Sequence, residues 1–162
     1  MFKLIAIDMD GTLLNDRHQV SAETKHVIRE AKKQGAKVVL CSGRPIVGMR
    51  PYIKEDYAIA FNGAFIQNTN SGEVVDKIAL DYRDLVDLYG LSLKLESPMH
   101  FFDIDYVYTP NKLISKYTVL ESYLNKIPLK YIDIEDFEKN LPVPSVSFID
   151  EPEKLRRTIE NM

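Results

Sequence analysis

Asp8 and Asp10 stand one residue apart where the apolar run 4–7 stops, and glycine and threonine follow at once in the stretch IAIDMDGTLLN. In an extended strand, residues i and i+2 point to the same side, so the two carboxylates share a face while Met9 turns into the core. Close carboxylates repel one another, and a cation or a shared proton relieves them. A hard, oxygen-seeking ion suits the pair better. Mg²⁺ takes roughly octahedral oxygen ligation at about 2.0–2.1 Å and often uses one or two carboxylates together with a substrate phosphate. With a phosphate held there, one aspartate can attack phosphorus to form an aspartyl-phosphate, while the other protonates the leaving oxygen and later activates water. General acid–base help of this kind is worth roughly 10²- to 10⁴-fold. Gly11 and Thr12, and Ser42 and Gly43 further along, supply backbone N–H groups suited to phosphate oxygens.

Simpler explanations compete with this chemistry. An EF-hand calcium loop counted from Asp8 needs glycine at its sixth position and an acidic residue at its twelfth. Leu13 and Gln19 stand there, so the loop does not fit. A solvated turn fits any isolated Asp-x-Asp-Gly, but here other strand ends also carry polar residues. Cys41 is not followed six positions on by arginine, as a cysteine-phosphatase loop requires; Val47 is there, and Cys41 suits a small core residue. Asn62-Gly63 serves equally as a hairpin turn and as a substrate contact. His18, His26 and His100 show no metal-ligand spacing.

The elements that must position these groups follow from the pattern around them. Residues 2–7 form an apolar run of the kind found in strands buried on both faces. Ser21 is an N-cap candidate for a helix whose Thr24, Val27, Ile28 and Ala31 recur at helical spacing, and Gly35 sits where a glycine would end it. AKVVLC (36–41) and YAIAF (57–61) give two more buried strands, with a helix between them that Pro45 starts and Pro51 kinks or ends. This alternation predicts an α/β parallel sheet with its site at the carboxyl ends of the strands, where Asp8, Asp10, Ser42 and Asn62 fall. AFIQ and VVDKIAL around TNSG (69–72) read as an antiparallel hairpin. From the N-cap candidate Asp81, Leu85, Leu88, Leu91 and Leu95 mark another helix. FFDIDYVYT (101–109), the helical KLISKYTVLESYLNK (112–126), KYIDI (130–134), PSVSFID (144–150) and a helix start at Glu151-Pro152 complete an α+β unit of its own.

Composition narrows the partners. The chain has 162 residues, 45% of them hydrophobic, enough for a real core and against disorder. Its net charge of −3 is spread along the chain, which argues against nucleic acid and a polybasic membrane anchor. A single cysteine rules out an internal disulfide framework and suits a reducing, cytoplasmic setting. The run before Asp8 is too short for a signal segment or a membrane span. Oligomeric state is left open.

The stretch Asp8-Met9-Asp10-Gly11-Thr12-Leu13-Leu14 resembles the first motif of the haloacid dehalogenase superfamily, and Ser42-Gly43-Arg44-Pro45 its second. Together with Asn62-Gly63-Ala64 they are similar to the Cof-type branch, class IIB, whose sugar-phosphatase-like members carry a large α/β cap. The resemblance rests on motifs up to about residue 80 and on general pattern beyond. It implies a Rossmann-like core with an α+β cap domain and Mg²⁺-dependent hydrolysis of a small phosphorylated metabolite. Asp8 would be nucleophile, Asp10 general acid/base, and Ser42 a ligand of the transferring phosphoryl group. Asp8 and the Asp10 backbone carbonyl would hold the metal, and Gly11, Thr12, Gly43, Arg44 and Asn62 would contact phosphate or substrate. A phosphomutase or phosphotransferase would use the same motifs. A receiver-type signalling module does not fit, because Asn62 stands where its phosphoacceptor should follow the third strand.

The same pattern asks for a later lysine and a Gly-Asp metal motif. None of the seven glycines is followed by aspartate. Lys130, Lys139 and Lys154 fall in the expected cap, so none matches the lysine. Residues 1–80 are therefore expected to be the N-terminal half of the core and residues 81–162 an incomplete cap. Such a chain would be weak or inactive alone, or a non-catalytic phosphate-binding remnant. The segment 53–57 is also expected to lack a loop.

Overall fold

Runs of four or five apolar residues, each ending on a polar one, build the first sheet. Strands β1 (Leu4–Asp8), β2 (Lys37–Cys41) and β3 (Tyr57–Ala60) lie parallel, and the register pairs Asp8 with Cys41 and Cys41 with Ile59. The computed structural model describes residues 2–52, 55–137 and 142–160, and its contacts divide the chain into two units, Met1–Lys77 and Ile78–Met162. The expected loop loss at 53–57 falls partly outside the described residues, and Lys139 wholly so.

In the first unit β3 turns back into β4 (Phe65–Asn68) and β5 (Val74–Lys77), an antiparallel pair that completes the sheet order β1-β2-β3-β4-β5. Helix α1 (Ala22–Lys33) starts where Ser21 Oγ accepts the Thr24 N–H at 3.1 Å, a cap worth about 1 kcal/mol. Its end is marked by Gly35, as the pattern predicted. Ile28 faces inward, but Val27 is 65% exposed, so the apolar stripe is narrower than its spacing suggested. Helix α2 (Ile46–Met49) is only four residues long and stops short of Pro51. One expectation is corrected. β1 is not buried on both faces: Leu4 is 59% exposed, because among the described residues β1 pairs with β2 alone.

The second unit carries α3 (Tyr82–Lys94), β6 (Met99–Phe102), β7 (Val107–Thr109), α4 (Lys116–Asn125), β8 (Leu129–Tyr131), β9 (Ser145–Phe148) and α5 (Pro152–Glu160). Asp81 caps α3 by accepting the Asp84 N–H at 3.0 Å. The apolar run 101–109 does not form one strand. Asp103 Oδ1 accepts the N–H groups of Asp105 at 2.7 Å and Tyr106 at 2.6 Å, and that side-chain turn folds the run into the β6–β7 hairpin. The sheet order is β8-β7-β6-β9, with only β7 and β8 parallel. Leu85, Met99, Phe101, Tyr108 and Phe137 form its core, with the Phe101 and Phe137 rings edge to face at 5.0 Å. No helix among the described residues is long and apolar enough to cross a membrane.

Candidate active site

Three strand ends meet in the first unit. Beyond β1 the chain makes one wide turn, 9–13, closed by the Leu14 N–H donating to the Met9 carbonyl at 2.9 Å. Met9 is fully buried while Asp8 and Asp10 are exposed, so both carboxylates leave the core together. Gly11 follows at φ +77°, a left-handed conformation that glycine adopts without steric cost. Thr12 is exposed in the same turn.

The loop after β2 is tied to the loop after β3 through the backbone. The Ser42 N–H donates to the Ile59 carbonyl at 2.9 Å, the Asn62 N–H to the Ser42 carbonyl at 3.1 Å, and the Phe61 N–H to the Arg44 carbonyl at 3.1 Å. Ser42 Oγ accepts the Arg44 N–H at 3.1 Å, which fixes a buried hydroxyl at the strand end. Gly43 lies so close to Asn62 that an added Cβ would sit 2.9 Å from Asn62 Oδ1. A side chain at Gly43 would therefore displace the Asn62 amide.

Arg44 ties the β2 loop to the β1 turn. Its Nε donates to Asp10 Oδ2 at 2.8 Å and its Nη2 to Asp10 Oδ1 at 2.7 Å, a two-pronged pair. With the side chains 22% and 47% exposed, water screens the pair and its net worth is about 0.2–1 kcal/mol. Bonding to Asp10 raises the Arg44 pKa further above its ordinary value, so the guanidinium stays charged. The same guanidinium lies 5.8 Å from the centre of the Tyr52 ring, and the Tyr52 hydroxyl donates to the His18 carbonyl at 3.2 Å. Tyr52 was not singled out from the sequence. Its only signal there is an aromatic ring one short helix beyond an arginine. Burial, aided by the negative charge of Asp8, pushes the Cys41 thiol up, which keeps it protonated and unsuited to nucleophilic attack.

The structure therefore brings Asp10, Ser42, Gly43, Arg44 and Asn62 into one contact network. Asp8 stands beside it through its register with Cys41, and Gly11 and Thr12 sit in the Asp10 turn. Among the described residues no three His, Cys, Asp or Glu side chains gather into a metal cage. Mg²⁺ is often held by one or two carboxylates with water and phosphate completing its shell, and Asp8 and Asp10 are the exposed carboxylates at this strand end. The Asp10 carboxylate is engaged by Arg44, so the Asp8 carboxylate and the Asp10 backbone carbonyl are the donors that suit such an ion.

Comparison with known proteins gives these geometries a context. A family model described as haloacid dehalogenase-like hydrolase matches residues 5–162. YxeH of Bacillus subtilis (strain 168) is 51% identical over 169 aligned residues, covering 100% of this chain and 63% of YxeH. Phosphatase YwpJ of the same organism is 34% identical over 115 residues, 67% of this chain and 39% of YwpJ. A haloacid dehalogenase-like hydrolase from Bacteroides thetaiotaomicron has a similar solved structure, with a TM-score of 0.83, 26% identity and coverage of 99% of this chain and 63% of that one. The HAD subclass IIB sugar phosphatase BT4131 has the same fold, at a TM-score of 0.71, 22% identity and coverage of 98% and 62%. The chain spans less than two thirds of the length of each of these proteins.

Proposed function

The chain belongs to the haloacid dehalogenase-like hydrolases, and from that premise we propose that its strand-end site takes the phosphoryl group of a small phosphorylated metabolite, as a Mg²⁺-dependent phosphatase. The observation that carries the proposal is the pairing of two exposed aspartates at one strand end with an arginine fork closed on the second. The names of YwpJ, a phosphatase, and BT4131, a sugar phosphatase, support the reaction class.

In this mechanism an Asp8 carboxylate oxygen attacks phosphorus while the ester P–O bond breaks, and the leaving oxygen takes its proton from the Asp10 carboxyl group. Asp10, now a carboxylate, removes a proton from water as that water attacks phosphorus. The Asp8–phosphorus bond breaks, and inorganic phosphate and the Asp8 carboxylate are released. Bound Mg²⁺ would neutralise charge on the phosphoryl oxygens and let an anionic substrate approach Asp8. Ser42, with the backbone N–H groups of Gly11, Thr12 and Gly43, would hold the phosphoryl oxygens, and Arg44 and Asn62 would meet phosphate or substrate. The second unit, Ile78–Met162, would act as the cap. A cytoplasmic location suits the single cysteine.

Vanadate, which mimics the five-coordinate phosphoryl group, tests this without requiring turnover. Calorimetric titration should show saturable vanadate binding that needs Mg²⁺ and is lost in Asp8→Ala. Binding that persists in Asp8→Ala, or that ignores Mg²⁺, would remove Asp8 from the nucleophile position. Where turnover is measurable, release of inorganic phosphate rather than transfer to an added alcohol separates hydrolysis from a phosphotransferase or mutase.

A further inference from the structure

A second concavity lies in the first unit, away from the paired aspartates. Helix α1 packs on β2, and beside it a cavity of about 780 Å³ opens towards Pro51, Tyr52 and Glu55. Its floor is apolar, made by Leu13, Ile28 and Leu40, which are 6%, 9% and 1% exposed. Small-molecule sites typically occupy about 300–1,000 Å³ and combine an apolar lining with a few polar groups that orient the ligand.

The walls are cationic in a chain whose net charge is −3: Lys25, Arg29, Lys32 and Lys33 line the cavity against one carboxylate, Glu55. Lys32 is held by Glu55 at 3.1 Å, and Lys33 by Glu30 at 2.8 Å. Lys25 and Arg29 have no ion-pair partner among the described residues, although they stand one turn apart on the same helix. Like charges at that spacing repel, and an anion between them would turn the repulsion into attraction.

We propose that this groove binds a monomeric anionic amphiphile free in solution. Its carboxylate, or a similar anionic head, is held by Lys25 and Arg29, and its hydrocarbon body lies over Leu13, Ile28 and Leu40. Charge complementarity selects the head and the dry floor selects the tail. The site is separate from Asp8 and Asp10, and two of its lining residues neighbour the elements that hold them. Leu13 ends the turn that carries Asp10, and Tyr52, which also lines the cavity, lies beside Arg44.

Calorimetric titration of the chain with decanoate, below the concentration at which it aggregates, tests the proposal against decan-1-ol, which has the same tail without the charge. Decanoate should bind at a single saturable site at least about tenfold more tightly than the alcohol. The double variant Lys25→Glu/Arg29→Glu should weaken decanoate by at least about tenfold and leave the alcohol unchanged. The milder Lys25→Gln/Arg29→Gln should fall between, and serves if the charge reversal disturbs α1. Arg83→Glu, in the second unit, should change nothing. Equal affinities for acid and alcohol, indifference to the double variant, absence of saturable binding, or binding only to anionic vesicles would each overturn it.

Discussion

His100 offers a direct measure of how firmly the second unit holds its core. Its ring is 1% exposed, Nδ1 lies 3.1 Å from Thr118 Oγ1, and Phe102 meets it edge-on at 5.1 Å. Burial in these surroundings lowers its pKa from 6.5 to about 4. The unfolded chain therefore binds a proton as pH falls below about 6.5, while the native state holds its imidazole neutral until near 4. Stability from this group is complete at neutral pH, declines as pH drops from about 6.5 towards 4, and changes no further below that. At about 1.4 kcal/mol per pH unit the full loss is about 3.5 kcal/mol, and most of it, about 2.5 kcal/mol, falls between pH ~7.5 and pH ~4.5. Urea unfolding followed by tyrosine fluorescence reads mainly this unit, because the chain has no tryptophan and most of its tyrosines lie beyond residue 77. Carboxylates titrate over the same interval, so the informative quantity is the difference in pH slope between the native chain and His100→Gln, whose amide can still bond to Thr118. The variant should lose about 2–3 kcal/mol less on acidification. Parallel slopes for the two proteins would show that His100 titrates normally in the folded state and would refute the burial argument.

Two further perturbations address the strand-end site. Arg44→Gln removes a pair with side chains 22% and 47% exposed, so thermal unfolding should shift by only a few degrees, corresponding to at most about 1 kcal/mol. Vanadate affinity should fall about tenfold or more through loss of charge-assisted hydrogen bonds; a large stability loss with unchanged affinity would make Arg44 merely structural. Gly43→Ala would place a methyl group 2.9 Å from Asn62 Oδ1 and displace the Asn62 side chain. It should weaken vanadate binding, with Asn62→Ala restoring part of the loss, as a calorimetric double-mutant cycle would show.

The sequence made the strand-end group legible because each signal was local. An apolar run ending on polar residues marks a strand end, and three such ends in strand–helix–strand order must converge on one edge of a parallel sheet. The caps at Ser21 and Asp81 were legible for the same reason, since a cap is read within three residues of itself. What escaped depends on partners far along the chain. The run 4–7 looks the same whether its strand lies inside a sheet or at its edge, and only the sheet order exposes Leu4. The pairing of Arg44 with Asp10 spans 34 positions, and the ring of Tyr52 approaches that pair only once α2 has ended early. The split of 101–109 into two strands was local, but it hung on one side chain, Asp103, set among residues that otherwise favour a continuous strand.

The Arg44–Asp10 pair also bears on the order of events in the proposed reaction. To serve a leaving oxygen, Asp10 must turn a carboxyl oxygen towards it, yet both of its oxygens accept from the Arg44 guanidinium. The closed fork therefore has to open before Asp10 can meet the substrate. A phosphate ester entering beside Asp8 brings anionic oxygens that match the same planar fork at least as well as a carboxylate does. If Arg44 turns to those oxygens, it binds the substrate and releases both Asp10 oxygens in one movement. The screened pair costs about 1 kcal/mol or less to open, so the exchange is energetically shallow. Tyr52 lies beside the guanidinium in its closed position and, anchored to the His18 carbonyl, helps to define where the arginine returns once phosphate has left.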